Sequence, residues 1–369
     1  MNIKEKCCGC TACVNICPVS AIHMERDAEG FLYPMIDERK CMHCDLCEKV
    51  CAFKKTSAII NHNFITEAYA VRSSDKNILV DSTSGGAFTM ISNVILAQNG
   101  FVVGCTYSED CYHVTYSIAD SETLRNKMRG SKYIQAEAST MFQDVKALLE
   151  QEKIVLFTGT PCFAEGLLSY IPEKLRERLY TCAIVCHGSP SPLIWKTYLE
   201  EQESIEKSKI TSFRFRDKNK QKSVAVTKEG KVIDIRTYLD LYYSNCIMRP
   251  CCYTCKYATP SRSVDLTIGD FWGIEKALPE WETTDASLVL VHSYKGKEIM
   301  DKCREQMLIH KCQLEDALQD NLRKPTERPP KRDRLWKAFD NKGIKSVLKK
   351  YTSNSFYFRW KKKVKSILH

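Results

Sequence analysis

The chain has 369 residues, of which 44% are hydrophobic and 27% charged, with a net charge of +10 and twenty cysteines. The composition excludes an intrinsically disordered chain, and the length allows two domains or one large domain with an appendage. A basic chain hints at nucleic acid, but the distribution of the charge speaks against a nucleic-acid groove. Sixteen lysines and arginines against Glu327, Asp333 and Asp340 lie from Arg323 onward, which leaves residues 1–322 at a net −3.

MNIKEKCCGC runs into cysteines with no apolar stretch, so no secretory signal is expected. AFTMISNVILAQNGFVVGC is broken by Ser92, Asn93, Gln98, Asn99 and Gly100, and reads as a helix followed by a strand rather than a membrane span. Many cysteines without an export signal point to metal or redox chemistry in a reducing, cytoplasmic setting.

In chain order, Cys7, Cys10, Cys13 and Cys17 come first and recur at Cys41, Cys44, Cys47 and Cys51, a constant offset of 34 residues. Each run has the C-x2-C-x2-C-x3-C spacing of bacterial ferredoxins, in which the fourth cysteine of one run ligates the cluster of the other. Cys7, Cys10, Cys13 and Cys51 are therefore assigned to one 4Fe-4S cluster, and Cys41, Cys44, Cys47 and Cys17 to a second. The first run closes on Cys17-Pro18, the second on Cys51-Ala52, which lacks the turn-fixing proline but no ligand. Cys8 is surplus and reads as structural. Zinc prefers two separated C-x2-C pairs and fits the duplicated spacing poorly. Between the runs, AIHMERDAEGFLYPMID alternates like a hairpin around residues 27–30.

Residues 52–66 are polar and patternless, with a linker expected at 57–66. From residue 67, AYAVRS, FVVGCTY, KIVLFTG and LYTCAIVC read as strands. SGGAFTMISNVILAQNG, STMFQDVKALLEQEK and CFAEGLLSYI read as helices, and the alternation predicts a layered α/β domain with a partly parallel sheet. SFRFRDK and SVAVTKEGKVIDIRT form a later antiparallel pair.

No G-x-G-x-x-G follows any strand, so the usual dinucleotide fingerprint is missing. Residues 81–86, DSTSGG, open a helix and offer hydroxyls and free N–H groups to an anion, and Arg129-Gly130-Ser131-Lys132-Tyr133 brings two cations around a glycine. A helix cap and a surface turn are the alternatives for these loops. Cys162 and Cys186 stand just past apolar strands, and Cys252 and Cys255 form CYTC ahead of an expected loop, DLTIGDFWG. Strand ends are where such folds place sites, so these four are candidates to converge on one cluster. Cys246 and Cys251 compete for such a role, and Cys105, Cys111, Cys182, Cys303 and Cys312 read as packing residues.

Taken together, the two cysteine runs, STSGG, RGSKY, TGTPC, CHGSPSP, RPCCYTC and DLTIGDFWG resemble the coenzyme F(420) hydrogenase/dehydrogenase beta-subunit family. The likeness is to bacterial members with an N-terminal two-cluster ferredoxin domain, which often accompany polysaccharide biosynthesis. The resemblance implies a bound FAD and a third 4Fe-4S cluster held by Cys162, Cys186, Cys252 and Cys255. It implies FAD contacts from Ser84, Gly85 and Gly86, from Arg129 to Tyr133, and from Thr158, Gly159 and Thr160. The deazaflavin itself does not carry over. Clusters pass single electrons and organic substrates commonly take a hydride, so a flavin belongs between them. Lys132, Tyr133 and His187 are the candidate proton donors.

From Arg323, basic residues interleave with Leu335, Trp336, Phe339, Val347, Leu348, Phe356, Phe358, Trp360 and Ile367. This suits an anionic membrane surface at the inner face of the membrane, or a helix packing its apolar stripe on the body. The expected architecture is an α+β two-cluster ferredoxin domain at 1–56, a layered α/β flavin domain with a mixed sheet at 67–322, and a helical basic tail at 323–369. The expected function is that of an iron–sulfur flavoprotein oxidoreductase, fed by a donor or acceptor protein such as ferredoxin and acting on an unidentified substrate. A non-enzymatic electron-transfer subunit and a structural iron–sulfur scaffold are the competing readings.

Overall fold

The computed structural model describes residues 3–54, 64–217, 222–281 and 285–353. Most of the expected linker and the end of the basic tail lie outside these residues.

The 34-residue repeat of the cysteines recurs in the backbone. Gly9 and His43 have φ of 76° and 52°, Thr11 and Asp45 have 65° and 57°, and the short helices Ala12–Ile16 and Leu46–Lys49 start at equivalent positions. Left-handed residues curl each cysteine loop tightly ahead of its helix. Between the loops, β1 (Ile22–Arg26) and β2 (Leu32–Ile36) pair antiparallel, Ile22 opposite Ile36. Asp27 Oδ1 holds their turn by accepting from the N–H groups of Glu29 and Phe31, both at 3.0 Å.

The body is built on an eight-stranded sheet of β3 (Glu67–Ser73), β4 (Phe101–Tyr107), β5 (Val114–Ala119), β6 (Val155–Gly159), β7 (Leu179–Ile184), β11 (Leu266–Asp270), β12 (Ser287–Val291) and β13 (Met307–Cys312). Its order is β13-β3-β12-β11-β7-β6-β4-β5. The centre is parallel (β11 with β7, β7 with β6, β6 with β4) and the flanks are antiparallel. Side chains alternate across it as the two-residue strand period requires. Val102 and Leu156 pack under the helix Ala87–Leu96, while Val103, Val155 and Phe157 pack against the helices Met141–Glu150 and Pro161–Tyr170. Both faces are covered, which is why β6 and β12 are buried along their whole length.

The expected loop DLTIGDFWG is corrected: residues 266–270 are β11, lying between β7 and β12. Strands β5, β12 and β13 were not expected either. SLVLV is a short apolar run with no period to separate strand from helix, and β13 is an edge strand of mixed polarity.

A smaller antiparallel sheet, β8 (Ile210–Asp217), β9 (Lys222–Thr227) and β10 (Val232–Asp234), encloses an aromatic core of Trp195, Tyr198, Phe213, Phe215 and Tyr238. The C-terminal helix Arg332–Tyr351, kinked at Gly343, buries Leu335, Trp336, Ile344 and Val347 in that core, and Trp336 Nε1 donates to Cys246 O at 3.1 Å. These side chains are therefore turned into the body, as the packing alternative for the tail expects, and not offered to a membrane. Phe356, Phe358, Trp360 and Ile367 lie outside the described residues. No described helix is long and apolar enough to cross a membrane.

Candidate functional site

The N-terminal cysteine region seats on the body through its own loops. Asn15 Nδ2 donates to Ser139 O at 2.8 Å, Gln143 Nε2 to Asn15 O at 3.1 Å, and Gln135 Nε2 to Cys8 O at 2.8 Å. Cys13 has Cys10, Cys7 and Cys51 as its charged neighbours, and burial followed by these thiols pushes its pKa well up. Cys7, Cys10, Cys13 and Cys51 are thus brought together across the repeat. In the other set, Cys44 acts on Cys47. Cys17 Sγ accepts from Ala21 N at 3.2 Å, and Cys41 lies 3.9 Å from His43 Nδ1, with Glu38 beside them.

Deeper in the body, Cys162, Cys186, Cys252 and Cys255 line one small cavity with Cys8 and Cys251. Cys162 opens the helix after β6, Cys186 follows β7, and Cys252 and Cys255 sit on and just past the helical turn Pro250–Thr254. Burial raises the Cys255 thiol to about 12, helped by Cys162 and Cys252, and raises Cys186 through the same neighbours. Cys252 is held down near 7 by a hydrogen bond from Cys251, by Ser189 N–H at 3.3 Å and by the Arg249 charge.

Two buried guanidiniums face this set. Arg262 donates to the carbonyls of Thr259, Ile184 and Tyr257 and to Thr267 Oγ1, and Arg249 donates to carbonyls, to Gln135 and to the thiol of Cys7. Among the described residues neither has a carboxylate partner. Buried cations without counter-charge cost several kcal/mol (about that order), and four thiolates crowded together are costly too. A thiolate-bound metal centre, anionic overall, removes both costs, so the donor set fits an iron–sulfur group. Cys246 packs in the aromatic core and is no competitor, whereas Cys251 and Cys8 remain beside the set as hydrogen-bond donors.

Across the wall formed by Cys186, His187, Gly188 and Ser189 opens a cleft of about 310 Å³ at the carboxyl ends of β6, β7 and β11. Ser84, Gly86, Arg129, Gly130, Ser131, Lys132, Tyr133, Thr158, Gly159, Thr160 and His187 all line it. Gly85 does not. It is buried beneath the loop, where an added Cβ would stand 2.6 Å from Ser287 N. Arg129 pairs with Asp81 at 3.3 Å, but its Nε is buried with no partner among the described residues, a donor in the wall that suits an anionic group.

The three expected proton donors stand differently. Lys132 is half-buried, desolvation lowers its pKa to about 8, and its Nζ donates to the carbonyls of Met128, Arg129 and Gly130 at 2.8, 2.9 and 3.3 Å. Its three protons close the loop they belong to. The Tyr133 ring packs on Tyr242 and Phe215. His187 is clamped at both ring nitrogens, 3.1 Å from Asn321 Oδ1 and 2.7 Å from Asn245 Oδ1.

Cys105, read from sequence as packing, also lines the cleft, as do Tyr242, Tyr243, Asp270 and Trp272. Trp272 and Tyr243 are 52% and 54% exposed. Trp272 falls in DLTIGDFWG, one of the stretches that carry the resemblance, but nothing there marked it as a cleft residue. Arg249 heads RPCCYTC, one of the stretches that carry the resemblance, but its burial was not readable there, and Arg262 carried no signal, because a buried arginine and a surface one are the same letter.

Comparison with known proteins agrees with the cysteine pattern. Residues 152–317 match the family model for the C terminus of the coenzyme F(420) hydrogenase/dehydrogenase beta chain, and residues 6–55 match a 4Fe-4S dicluster domain. The chain is 38% identical over 69 residues to a 7Fe ferredoxin of Hydrogenibacillus schlegelii, covering 18% of this chain and 78% of that protein. It is 39% identical over 54 residues to an uncharacterized protein from the rpl9-rpl11 intergenic region of Porphyra purpurea, covering 14% and 72%. A chain of the F(420)-reducing NiFe hydrogenase complex of Methanosarcina barkeri superposes with a TM-score of 0.47 at 17% identity, covering 76% of this chain and 89% of that one. Residues 152–317 are thus the C-terminal domain of the coenzyme F(420) hydrogenase/dehydrogenase beta-subunit family, a 4Fe-4S dicluster domain stands ahead of it at residues 6–55, and the chain is an iron–sulfur electron-transfer protein of oxidoreductase type.

Proposed function

We propose that the protein is an iron–sulfur flavoprotein oxidoreductase. Cys7, Cys10, Cys13 and Cys51 hold one cluster, Cys41, Cys44, Cys47 and Cys17 a second, and Cys162, Cys186, Cys252 and Cys255 a third. FAD occupies the cleft. The observation that carries this reading is the shared wall: residues 186–189 border both the four-thiol cavity and the cleft. A bound flavin would accept single electrons from one side and exchange a hydride on the other.

The chain's own residues then have definite work. Arg129, with that buried Nε, and the N–H groups and hydroxyl of Ser84 and Gly86 at the start of a helix would hold the flavin phosphates. Lys132 keeps the 128–131 loop in shape. His187, fixed at both nitrogens, presents an immobile edge between cavity and cleft. The exposed faces of Trp272 and Tyr243 offer stacking surfaces to a substrate ring, in keeping with a saccharide substrate. A reduced ferredoxin is the proposed partner at the N-terminal region.

The test is the iron, sulfide and flavin content of anaerobically purified protein, with spectra before and after dithionite. About twelve irons and one flavin per chain are expected. About eight irons with no flavin after reconstitution would reduce the protein to a two-cluster carrier serving a partner oxidoreductase.

A further inference from the structure

Arg249 is fully buried at the junction of the N-terminal region and the body. Its Nε donates to Cys7 O at 2.6 Å, its Nη2 to Leu32 O at 2.7 Å and towards Cys7 Sγ at 3.6 Å, and its Nη1 to Gln135 Oε1 at 3.1 Å. The guanidinium lies 4.1 Å from the Tyr33 ring centroid and 5.4 Å from that of Phe31. None of these partners is a carboxylate: they are two carbonyls, a side-chain amide, two aromatic rings and a thiol. The sulfurs it reaches belong to two different sets: it donates towards Cys7 Sγ of the first, and it lines the small cavity shared by Cys162, Cys186, Cys252 and Cys255 of the third, with Cys8 and Cys251 beside them. Among the described residues it makes no hydrogen bond to Cys41, Cys44, Cys47 or Cys17.

We infer that Arg249 is the shared counter-cation of the first and third cysteine sets, placed so that an electron arriving at either is stabilised by the same buried charge. The inference rests on the cluster assignment proposed above. Each cluster, once bound, gains one electron from its donor, and Arg249 needs to gain or lose no proton in the step. A positive charge buried in low dielectric next to both stopping points favours the reduced form at each and shifts both potentials in the same direction. The cluster of Cys41, Cys44, Cys47 and Cys17, with which Arg249 shares neither a hydrogen bond nor that cavity among the described residues, serves as an internal reference.

The experiment is an EPR-monitored redox titration of the wild type, Arg249→Lys and Arg249→Met, each with its iron counted first. Arg249→Met is expected to lower two of the three one-electron potentials by at least tenfold in equilibrium constant, ~59 mV, and to leave the third in place. Arg249→Lys, which keeps the charge but loses the planar fork, is expected to stay within half of that shift. If Arg249→Met fails to load iron, Gln135→Glu decides. This nearly isosteric change sets a carboxylate against the guanidinium and is expected to lower the same two potentials together. Fully loaded variants with unmoved potentials, or lysine and methionine variants that shift alike, would overturn the inference. Iron content below three clusters in the wild type would instead overturn the cluster assignment beneath it.

Discussion

His292 shows how one buried side chain sets a pH dependence away from the metal-binding sulfurs. It follows β12 at 3% exposure, with Thr66 Oγ1 at 3.2 Å from Nδ1 and Thr267 Oγ1 at 2.9 Å from Nε2. Burial, with the Arg262 charge second, lowers its pKa from 6.5 to about 3. As pH falls, the unfolded chain takes up the proton first, so the folded state loses stability from about 6.5 downward, until the folded group titrates near 3. Between pH 7 and pH 5 the wild type is expected to lose about 2 kcal/mol through this residue. His292→Gln should lose less than half of that, read from urea midpoints of the loaded protein at the two pH values. Nothing in the sequence singled out His292. The eight N-terminal cysteines, by contrast, were legible because their chemistry is carried by spacing alone. The burial of Arg249 and Arg262 was not, since what matters about them is that, among the described residues, no carboxylate stands against them, which appears only when the chain is folded.

At the scale of elements, the C-terminal helix Arg332–Tyr351 acts as a strap over the N-terminal hairpin. Arg332 forms a two-pronged pair with Glu29 in the β1–β2 turn, donates to Met248 O at 3.2 Å and meets Tyr253 OH at 3.1 Å. Its side chain is 6% exposed and that of Glu29 is 20% exposed. Removing the cation strands a mostly buried carboxylate, so Arg332→Met is expected to cost about 2–4 kcal/mol, with the double variant Glu29→Gln/Arg332→Met recovering part of the loss. Chemical denaturation of the four proteins of the cycle measures it. A single-variant cost under 0.5 kcal/mol (roughly that of an exposed pair) would show that the strap adds nothing. The apolar stripe of this helix was visible in the sequence, but its partner was not. Aromatic and aliphatic residues among lysines read alike whether they face lipid or protein, and only the aromatic core around Trp195 settles where Leu335, Trp336 and Val347 go. The central strands were legible as apolar runs between helices. β11 was missed because Thr267 and Gly269 interrupt its run, and its apolar character comes from being sandwiched between β7 and β12.

Across the whole molecule, the duplicated cysteine loops, the four-thiol cavity and the cleft follow one another from the N-terminal region to the carboxyl edge of the sheet. Each is separated from the next by little more than a side chain. Gly166 in the helix Pro161–Tyr170 lies so near the first loop that an added Cβ would stand 2.8 Å from Cys10 Sγ. Cys8 lies between Cys10 and Cys162 as a hydrogen-bond neighbour of both. Close spacing of this kind is what a one-electron relay needs and a structural scaffold does not. The measurement that bears most directly on it is rapid mixing with a reduced ferredoxin, following flavin bleaching in the wild type and in Cys186→Ser preparations that retain their flavin. The relay predicts that the variant, with about eight irons in place of about twelve, bleaches at least tenfold more slowly, while its N-terminal clusters are reduced at the wild-type rate. Equal flavin reduction in both proteins would contradict passage through the four-cysteine set.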